Sequence, residues 1–380
     1  MIPFAGIVDG WREKWAAIKV LFSKWHASGP QCRKLEEELA RYIGVRYALT
    51  TNSGSSALLL ALKSIGLPKN AKVITSGCGF PATLNPILHC GYKPVLVDYD
   101  METQNIDLLQ VEEAMKAGAD AIIVAHTMGI PVDMRRLMVM ADEHNVIVIE
   151  DCCEAIGAQL DGHQVGSFGH LACFSFYPSH QVNGLGTGGA VTTNNEEWAK
   201  NMRSMRNWGK IIHETKWQGD HVSRYTNDVD GVMYDDQYTY KTVGFNFLMA
   251  DICAAYLREQ MKRLPELIKK RKENWAYLND RVGARNKVRV KVPQGAEPSY
   301  FGYVMVNPKR DELANHLEAN GVRQRPFFAG NITRHEPYKK FKTKFPVADR
   351  MMEEGLFIGC WPGLKRRQLD HMINTIWSFK

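Results

Sequence analysis

Three short stretches of this chain combine residue types that hold an anion with residue types that move a proton. The first is Asn52-Ser53-Gly54-Ser55-Ser56, a small-residue turn that opens an apolar helical run, Ala57 to Ile65. Free backbone N–H groups at a helix start, reinforced by the helix dipole, attract a phosphate, and serine hydroxyls add donors. The same residues also fit an ordinary serine N-cap. The second is Asp151, which follows Glu150 at the end of the apolar run Val146–Ile149. A carboxylate at the carboxyl end of a strand faces the usual ligand crevice of an open α/β sheet. Against a pyridine ring it can keep the ring nitrogen protonated, which makes the ring a better electron sink. A helix-capping aspartate is the plain alternative. The third is Phe174-Ser175-Phe176-Tyr177-Pro178-Ser179-His180, just before a glycine-rich stretch, Gly184 to Gly189. An imidazole titrates near neutrality and can carry a proton, although a histidine satisfied within a loop is the plain alternative. What favours chemistry is the combination: a phosphate-type turn, a strand-end acid, Ser175 and a histidine follow one another in one order at compatible spacing.

These residues need a scaffold, and the sequence outlines one. Tyr47–Thr50, Val73–Thr75, Pro94–Asp98, Ala121–Ala125 and Val146–Ile149 are short, apolar runs of the kind that form strands buried on both faces. They alternate with helical patterns such as Leu35–Tyr42, Leu108–Ala117 and Met134–His144, which implies an α/β sheet wrapped by helices. From about Gly209 to Tyr240 the chain turns polar and aromatic with little periodicity, and a long loop region is expected. Ala250–Val282 is strongly helical. Strand-like pieces within Val288–Val306 and Gly321–Phe328 flank another helix, Asp311–Asn320, and predict a smaller α+β unit. The expected division is a large α/β domain over 1–250 and a small C-terminal domain over 251–380.

The composition, 45% hydrophobic and 23% charged over 380 residues, is that of a globular protein with a sizeable core. No apolar run is long enough for a membrane span, and Met1–Gly6 lacks the features of a signal peptide. Eight cysteines without C-x-x-C spacing predict reduced thiols and a cytoplasmic setting, with no metal site. The net charge of +7 is spread along the chain. Neither a nucleic-acid surface nor a membrane partner is expected, since the former needs clustered basic and aromatic residues.

The motifs resemble those of the DegT/DnrJ/EryC1/StrS family of sugar aminotransferases and dehydratases, fold-type I vitamin-B6 enzymes. The resemblance runs from Ile2 to about Lys380. It is carried by NSGSSAL (Asn52–Leu58), GFPATLNPI (Gly79–Ile87), VDYDMETQNID (Val97–Asp107), AHTMGIPVDM (Ala125–Met134), EDCCEAIGA (Glu150–Ala158) and FSFYPSHQ (Phe174–Gln181). It implies an aspartate-aminotransferase-like large domain with a smaller α+β C-terminal domain. In most of the family the position of His180 holds the lysine that forms a Schiff base with pyridoxal 5'-phosphate (PLP). An imidazole moves a proton but forms no stable imine. The sequence therefore looks most like the branch that removes the 3-hydroxyl of nucleotide-linked 4-keto-6-deoxyhexoses, with the CDP-4-keto-6-deoxyglucose 3-dehydratase type nearest. Support for that branch also comes from Tyr238–Asp251, Arg325–Arg334 and Leu356–Leu364.

By this resemblance the cofactor is pyridoxamine 5'-phosphate (PMP), or PLP, held without a covalent link. Gly54, Ser55 and Ser175 are implied to bind its phosphate, with Asn246 reaching the phosphate in a neighbouring subunit, so a homodimer with shared active sites is expected. Phe80 is implied to stack on the pyridine, Asp151 to pair with the ring nitrogen, and Glu154 to stand near the phenolic oxygen. His180 is implied to be the catalytic base, and Arg325, Asn331 and Arg334 to lie near the sugar nucleotide. Two departures stand out. The turn QVNGLGTGG is one residue longer than usual and carries Thr187 where a glutamate is common. The CDP-type enzyme uses a [2Fe–2S] cluster, whereas this chain has no cysteine between Cys173 and Cys253. No Fe–S cluster and no reductase partner are expected. Two rivals remain at this level: an aminotransferase using another lysine, though only Lys116 stands between Lys93 and Lys200, and a non-catalytic protein that binds a sugar nucleotide.

Overall fold

The five short runs and two further strands, Leu171–Ser175 and Gly189–Thr193, assemble into one mixed sheet. Its order is Tyr47–Thr51, Gly189–Thr193, Leu171–Ser175, Ile147–Asp151, Ala121–Ala125, Lys72–Ser76 and Lys93–Val97. The computed structural model describes residues 1–211 and 225–380. Gly189–Thr193 runs antiparallel to both neighbours, and the remaining pairings are parallel. The connectivity explains the exception. Parallel strands need a crossover element, and the turn between Ser175 and Gly189 supplies none, so the chain comes back antiparallel. Helices cover the sheet, and the strand interiors, such as Ile122, Ile123, Val148, Ile149, Cys173 and Phe174, are sealed from solvent. This is why the strands read as apolar runs rather than alternating ones.

The expected helices form close to their predicted limits: Pro30–Ile43, Gly54–Ser64, Leu108–Lys116, Met134–His144 and Arg310–Ala319. Asp151 closes the strand Ile147–Asp151 itself, two residues beyond the apolar run. The helix Asp251–Val282 is 32 residues long, about 48 Å at 1.5 Å per residue. Its first half packs into one core through Leu257, Leu264 and Ile268, and its end enters another through Leu278 and Val282. One rigid rod thus joins the large sheet to a small antiparallel sheet of Gly302–Val306, Gly355–Gly359 and Gln324–Pro326. The first residues of the chain, assigned above to the large domain, make their main-chain pairing with the small one. Ile2 N–H donates to Gly321 and Arg323 N–H donates to Ile2.

The loop expected over Gly209–Tyr240 contains regular structure. Tyr225–Val229 and Val232–Asp235 form a β-hairpin across Asp230-Gly231, whose φ angles are 54° and 83°. Two successive positive φ values are what a tight hairpin turn requires, and Asp-Gly supplies them readily. The stretch 212–224 of the expected loop lies outside the described residues. Among the described residues, no helix is long and apolar enough to cross a membrane.

Candidate active site

The carboxyl ends of the parallel strands converge on one cavity of about 490 Å³. Ser76, Ala125, Asp151 and Ser175 are each the last residue of a strand, and all four line it. Side chains at this edge of an α/β sheet face the usual ligand crevice.

The turn after Tyr47–Thr51 delivers the helix Gly54–Ser64 into the same cavity. Ser53 caps that helix, its Oγ accepting from Ser56 N–H at 3.1 Å. The turn is a serine cap, and Ser53, Gly54 and Ser55 line the cavity. Gly54 is needed for fit. A Cβ there would lie 2.7 Å from the Cβ of Ser175, so only glycine lets the helix start approach the serine hydroxyl. Gly189 does the same from the other side, where a Cβ would lie 2.4 Å from the main chain of Ser53. The result is a shallow cradle of backbone N–H groups with the hydroxyls of Ser55 and Ser175 on its rim.

Asp151 is buried and held by two donors. Thr83 Oγ1 donates to Oδ2 at 2.8 Å, and Cys153 N–H donates to Oδ1 at 3.2 Å. No helix follows Asp151, so the capping alternative does not apply. Phe80 precedes the helix Pro81–His89 and is 60% exposed, a large aromatic face turned towards the cavity rather than into a core. Glu154 lines the wall, accepting Met128 N–H at 2.8 Å. Loss of water pushes its carboxyl up to about 8; the Met128 N–H opposes this and the charge of Asp151 adds to it.

His180 also lines the cavity. Its ring lies 5.4 Å from that of Phe301, and its Nδ1 is sealed from solvent with no partner among the described residues. Burial, followed by the positive charge of Arg271, pushes the imidazole down to about 3. The ring is therefore neutral near pH 7 and presents an unprotonated nitrogen. The glycine-rich turn beyond it bends through Leu185, Gly186 and Gly188, all at positive φ, and Thr187 Oγ1 donates to the carbonyl of Asn52. The lengthened turn is thereby tied to the anion cradle.

The other expected residues fall in two groups. Arg325 lines the cavity, its guanidinium 5.6 Å from the ring of Phe4. Asn331, Arg334 and Asn246 do not line it. Asn331 is buried and caps a short turn, accepting from Thr333 and donating to Asp349 at 3.0 Å. Arg334 is paired on the surface with Asp349 and Glu353. Asn246 is exposed, and its carbonyl accepts from the Asn52 side chain at 3.3 Å. The sequence reading missed Thr83 and an aromatic wall of Phe4, Phe301, Phe328 and Phe357. Only the PATLNPI motif around Thr83 carried a signal; the phenylalanines come from distant segments without one.

The donor set fits a phosphorylated pyridine. A glycine-opened helix start suits the phosphate, a doubly anchored carboxylate suits a ring N–H, an exposed aromatic face suits stacking, and His180 leaves a buried nitrogen without a partner. Among the described residues, no lysine lines the cavity. Lys116 pairs with Glu112 and Glu113 on the helix Leu108–Lys116, away from the cavity. One buried group of metal-ligand type occurs among the described residues, His126, Glu150 and Cys152. There His126 and Glu150 are bonded to each other and to main-chain N–H groups, which makes them a structural lock.

A family model described as the DegT/DnrJ/EryC1/StrS aminotransferase family matches residues 10–377. The lipopolysaccharide biosynthesis protein RfbH of Salmonella typhimurium is 33% identical over 402 residues, covering 100% of this chain and 92% of the relative. The dTDP-4-dehydro-2,6-dideoxy-D-glucose 3-dehydratase of Saccharopolyspora spinosa is 32% identical over 378 residues, covering 93% of this chain and 81% of the relative. Among solved structures, GDP-4-keto-6-deoxy-D-mannose-3-dehydratase of E. coli with bound hydrated PLP superposes with a TM-score of 0.88. It is 25% identical and covers 99% of both chains. The fold class expected from the sequence is the one these proteins share.

Proposed function

Because the chain belongs to the DegT/DnrJ/EryC1/StrS aminotransferase family, we propose that it is a PMP-dependent 3-dehydratase of a nucleotide-linked 4-keto-6-deoxyhexose. One observation carries this reading: where Gly54, Ser175 and Asp151 converge, the proton-moving side chain is the imidazole of His180, and among the described residues no lysine lines the cavity. Two of the similar proteins are themselves named 3-dehydratases.

When bound, PMP supplies an amine that condenses with a ketone and a ring that draws electrons once its nitrogen is protonated. The residues of this chain do the rest. The N–H groups at Gly54 and Ser55, with the Ser175 hydroxyl, bind the phosphate. Asp151, oriented by Thr83 and Cys153, holds the proton on the ring nitrogen. Phe80 covers one ring face and excludes water. Glu154, with a pKa raised to about 8, keeps its own proton near neutrality and donates it as a hydrogen bond towards the phenolic oxygen. His180 is the general base that takes a proton from the cofactor's C4' carbon and returns it to the departing C3 hydroxyl, which leaves as water. Arg325 at the cavity wall meets the anionic nucleotide. Asn246, exposed and outside its own cavity, serves the phosphate site of a second subunit, which makes the working unit a homodimer.

The test is incubation with PMP and either CDP- or GDP-4-keto-6-deoxyhexose, followed by mass. Loss of one water from either substrate is expected, and borohydride should fix no PLP on the chain. A His180→Asn variant should still bind PMP but lose C4' proton exchange by about 10²- to 10⁴-fold. An amino sugar formed in the presence of glutamate, with a borohydride-trapped lysine, would establish the aminotransferase reading instead.

A further inference from the structure

We propose that Arg271 is the positioning residue for His180, fixing the turn that carries the imidazole through its main chain. The proposal rests on the reading of His180 as the base. Arg271 projects from the helix Asp251–Val282 and is buried, yet it forms no ion pair among the described residues. Its guanidinium meets carbonyls instead. Nη2 donates to His180 at 2.9 Å, and Nη1 donates to Phe301 at 3.2 Å and Tyr300 at 3.4 Å. Cys360 lies beside it, but burial pushes that thiol up to about 11, so it provides no counter-charge near neutrality. A buried guanidinium with no carboxylate is costly to maintain. Here its planar fork ties together two segments distant in sequence, a task for which the fixed donor geometry of arginine is suited.

The ring of His180 has no other anchor of this kind. Its Nδ1 makes no hydrogen bond among the described residues. The main chain of His180 itself makes two bonds, its N–H to Tyr177 at 3.0 Å and its carbonyl to Arg271. The same cation holds the carbonyl of Phe301, whose ring packs 5.4 Å from the imidazole. One side chain therefore sets both the base and the surface against which it rests. Its charge has a second effect. Arg271 from the long helix, Tyr177 from the histidine's own turn, and Cys78, His126, Asp151, Cys153, Glu154 and Arg325 along the cavity are the charged or titratable groups about the ring among the described residues. Of these, Arg271 adds to burial in keeping the imidazole neutral.

The experiment uses the full chain loaded with PMP, with ring-labelled histidine followed by NMR. The His180 signal is identified by its loss in His180→Asn. In the unmodified protein its titration midpoint should fall well below the ordinary 6.5. Arg271→Met should raise that midpoint. Arg271→Lys keeps the charge but lacks the fork, so the midpoint should stay low while the ring signal broadens. On turnover, kcat should fall by about tenfold or more with KM little changed, as misplacement of a reacting group predicts. Variants that melt cooperatively with the His180 signal unmoved would assign Arg271 to packing alone and overturn the proposal. Should neither variant fold, the Arg271 Nη protons of the unmodified protein decide. Slow exchange and separate signals support a fixed clamp, and rapid averaging overturns it. These signals need no substrate, so a shifted midpoint without dehydration would reject the proposed function and leave the positioning role standing.

Discussion

Glu150 and Asp151 are neighbours on one strand, and they do opposite work. Successive side chains on a strand point to opposite faces. Glu150 meets four donors: Phe168 and Gly169 N–H on Oε1, Gly166 N–H and His126 Nε2 on Oε2. Val132 N–H donates to His126 Nδ1, which leaves Nε2 to carry the proton towards Glu150. Every atom is matched, and the cluster locks the turn 166–169 onto the sheet. Asp151 meets only two donors and looks into the cavity. A carboxylate with remaining acceptor capacity, at a strand end that borders a crevice, is available to a ligand; a saturated one is architecture.

The largest effect that would break this contrast belongs to Asp151. Asp151→Asn keeps the shape and the Thr83 contact but removes the charge proposed to face the ring nitrogen. Turnover of the keto sugar should fall by about 10²- to 10³-fold, as for other losses of a placed electrostatic partner. The melting temperature should move little. An active Asp151→Asn enzyme would leave the assignment of this carboxylate without support.

Glu150→Gln should behave in the reverse sense. Whichever end of the amide carries the NH₂ group, it would face two N–H donors, a clash that no rotation relieves. The expected loss is about 3 kcal/mol of stability, the lower range for breaking a buried charged network. Denaturant titration measures it, and turnover per folded molecule should be kept. A stable but inactive Glu150→Gln protein would dissolve the distinction drawn between the two carboxylates.

The same contrast explains what could be read without the structure. The strand carrying both acids was legible because Val146–Ile149 is apolar on both faces, and Asp151 was legible because it follows that run. The serine cap at Ser53 announced the cradle by local chemistry alone. Other features depend on contacts that no local pattern encodes. Phe4 reaches the cavity because Ile2 pairs with Val322, and Arg271 meets the His180 carbonyl because a helix that reads only as strongly helical passes beside that turn. Asn331 and Arg334 share a motif with Arg325, yet a turn of backbone sends Asn331 to a cap and Arg334 to surface carboxylates. The hairpin at Asp230-Gly231 did carry its turn signal. It was obscured because Tyr225, Val229, Val232 and Met233 are all exposed, so no buried face imposes alternation on the sequence.

Within the cavity, Glu154 and His180 sharpen the comparison by titrating in opposite senses. Burial lifts the Glu154 carboxyl from 4.5 to about 8. A raised pKa contributes stability that is fully present below pH 4.5 and is lost as pH rises through 8. Burial lowers His180 from 6.5 to about 3, so its contribution is present above pH 6.5 and is lost as pH falls towards 3. Glu154→Gln mimics the protonated acid at every pH. Its melting temperature, compared with that of the unmodified protein, should draw ahead progressively as pH rises from 4.5 to about 8 and then level off. Melting curves that stay parallel across that window would place the Glu154 proton elsewhere.

The smallest effect should come from Arg334. It is tied to Asp349 at 3.3 Å and Glu353 at 3.1 Å on an open surface, and it stands outside the cavity. Exposed pairs of this kind are worth about 0–1 kcal/mol, since water and salt screen them. Arg334→Ala should therefore change stability within that range and leave KM for the sugar nucleotide unchanged, whereas Arg325→Ala should raise it. The pair separates two arginines that lie nine positions apart in one motif. A raised KM in Arg334→Ala would mean that the nucleotide extends beyond the cavity wall and draws this side chain away from its carboxylates.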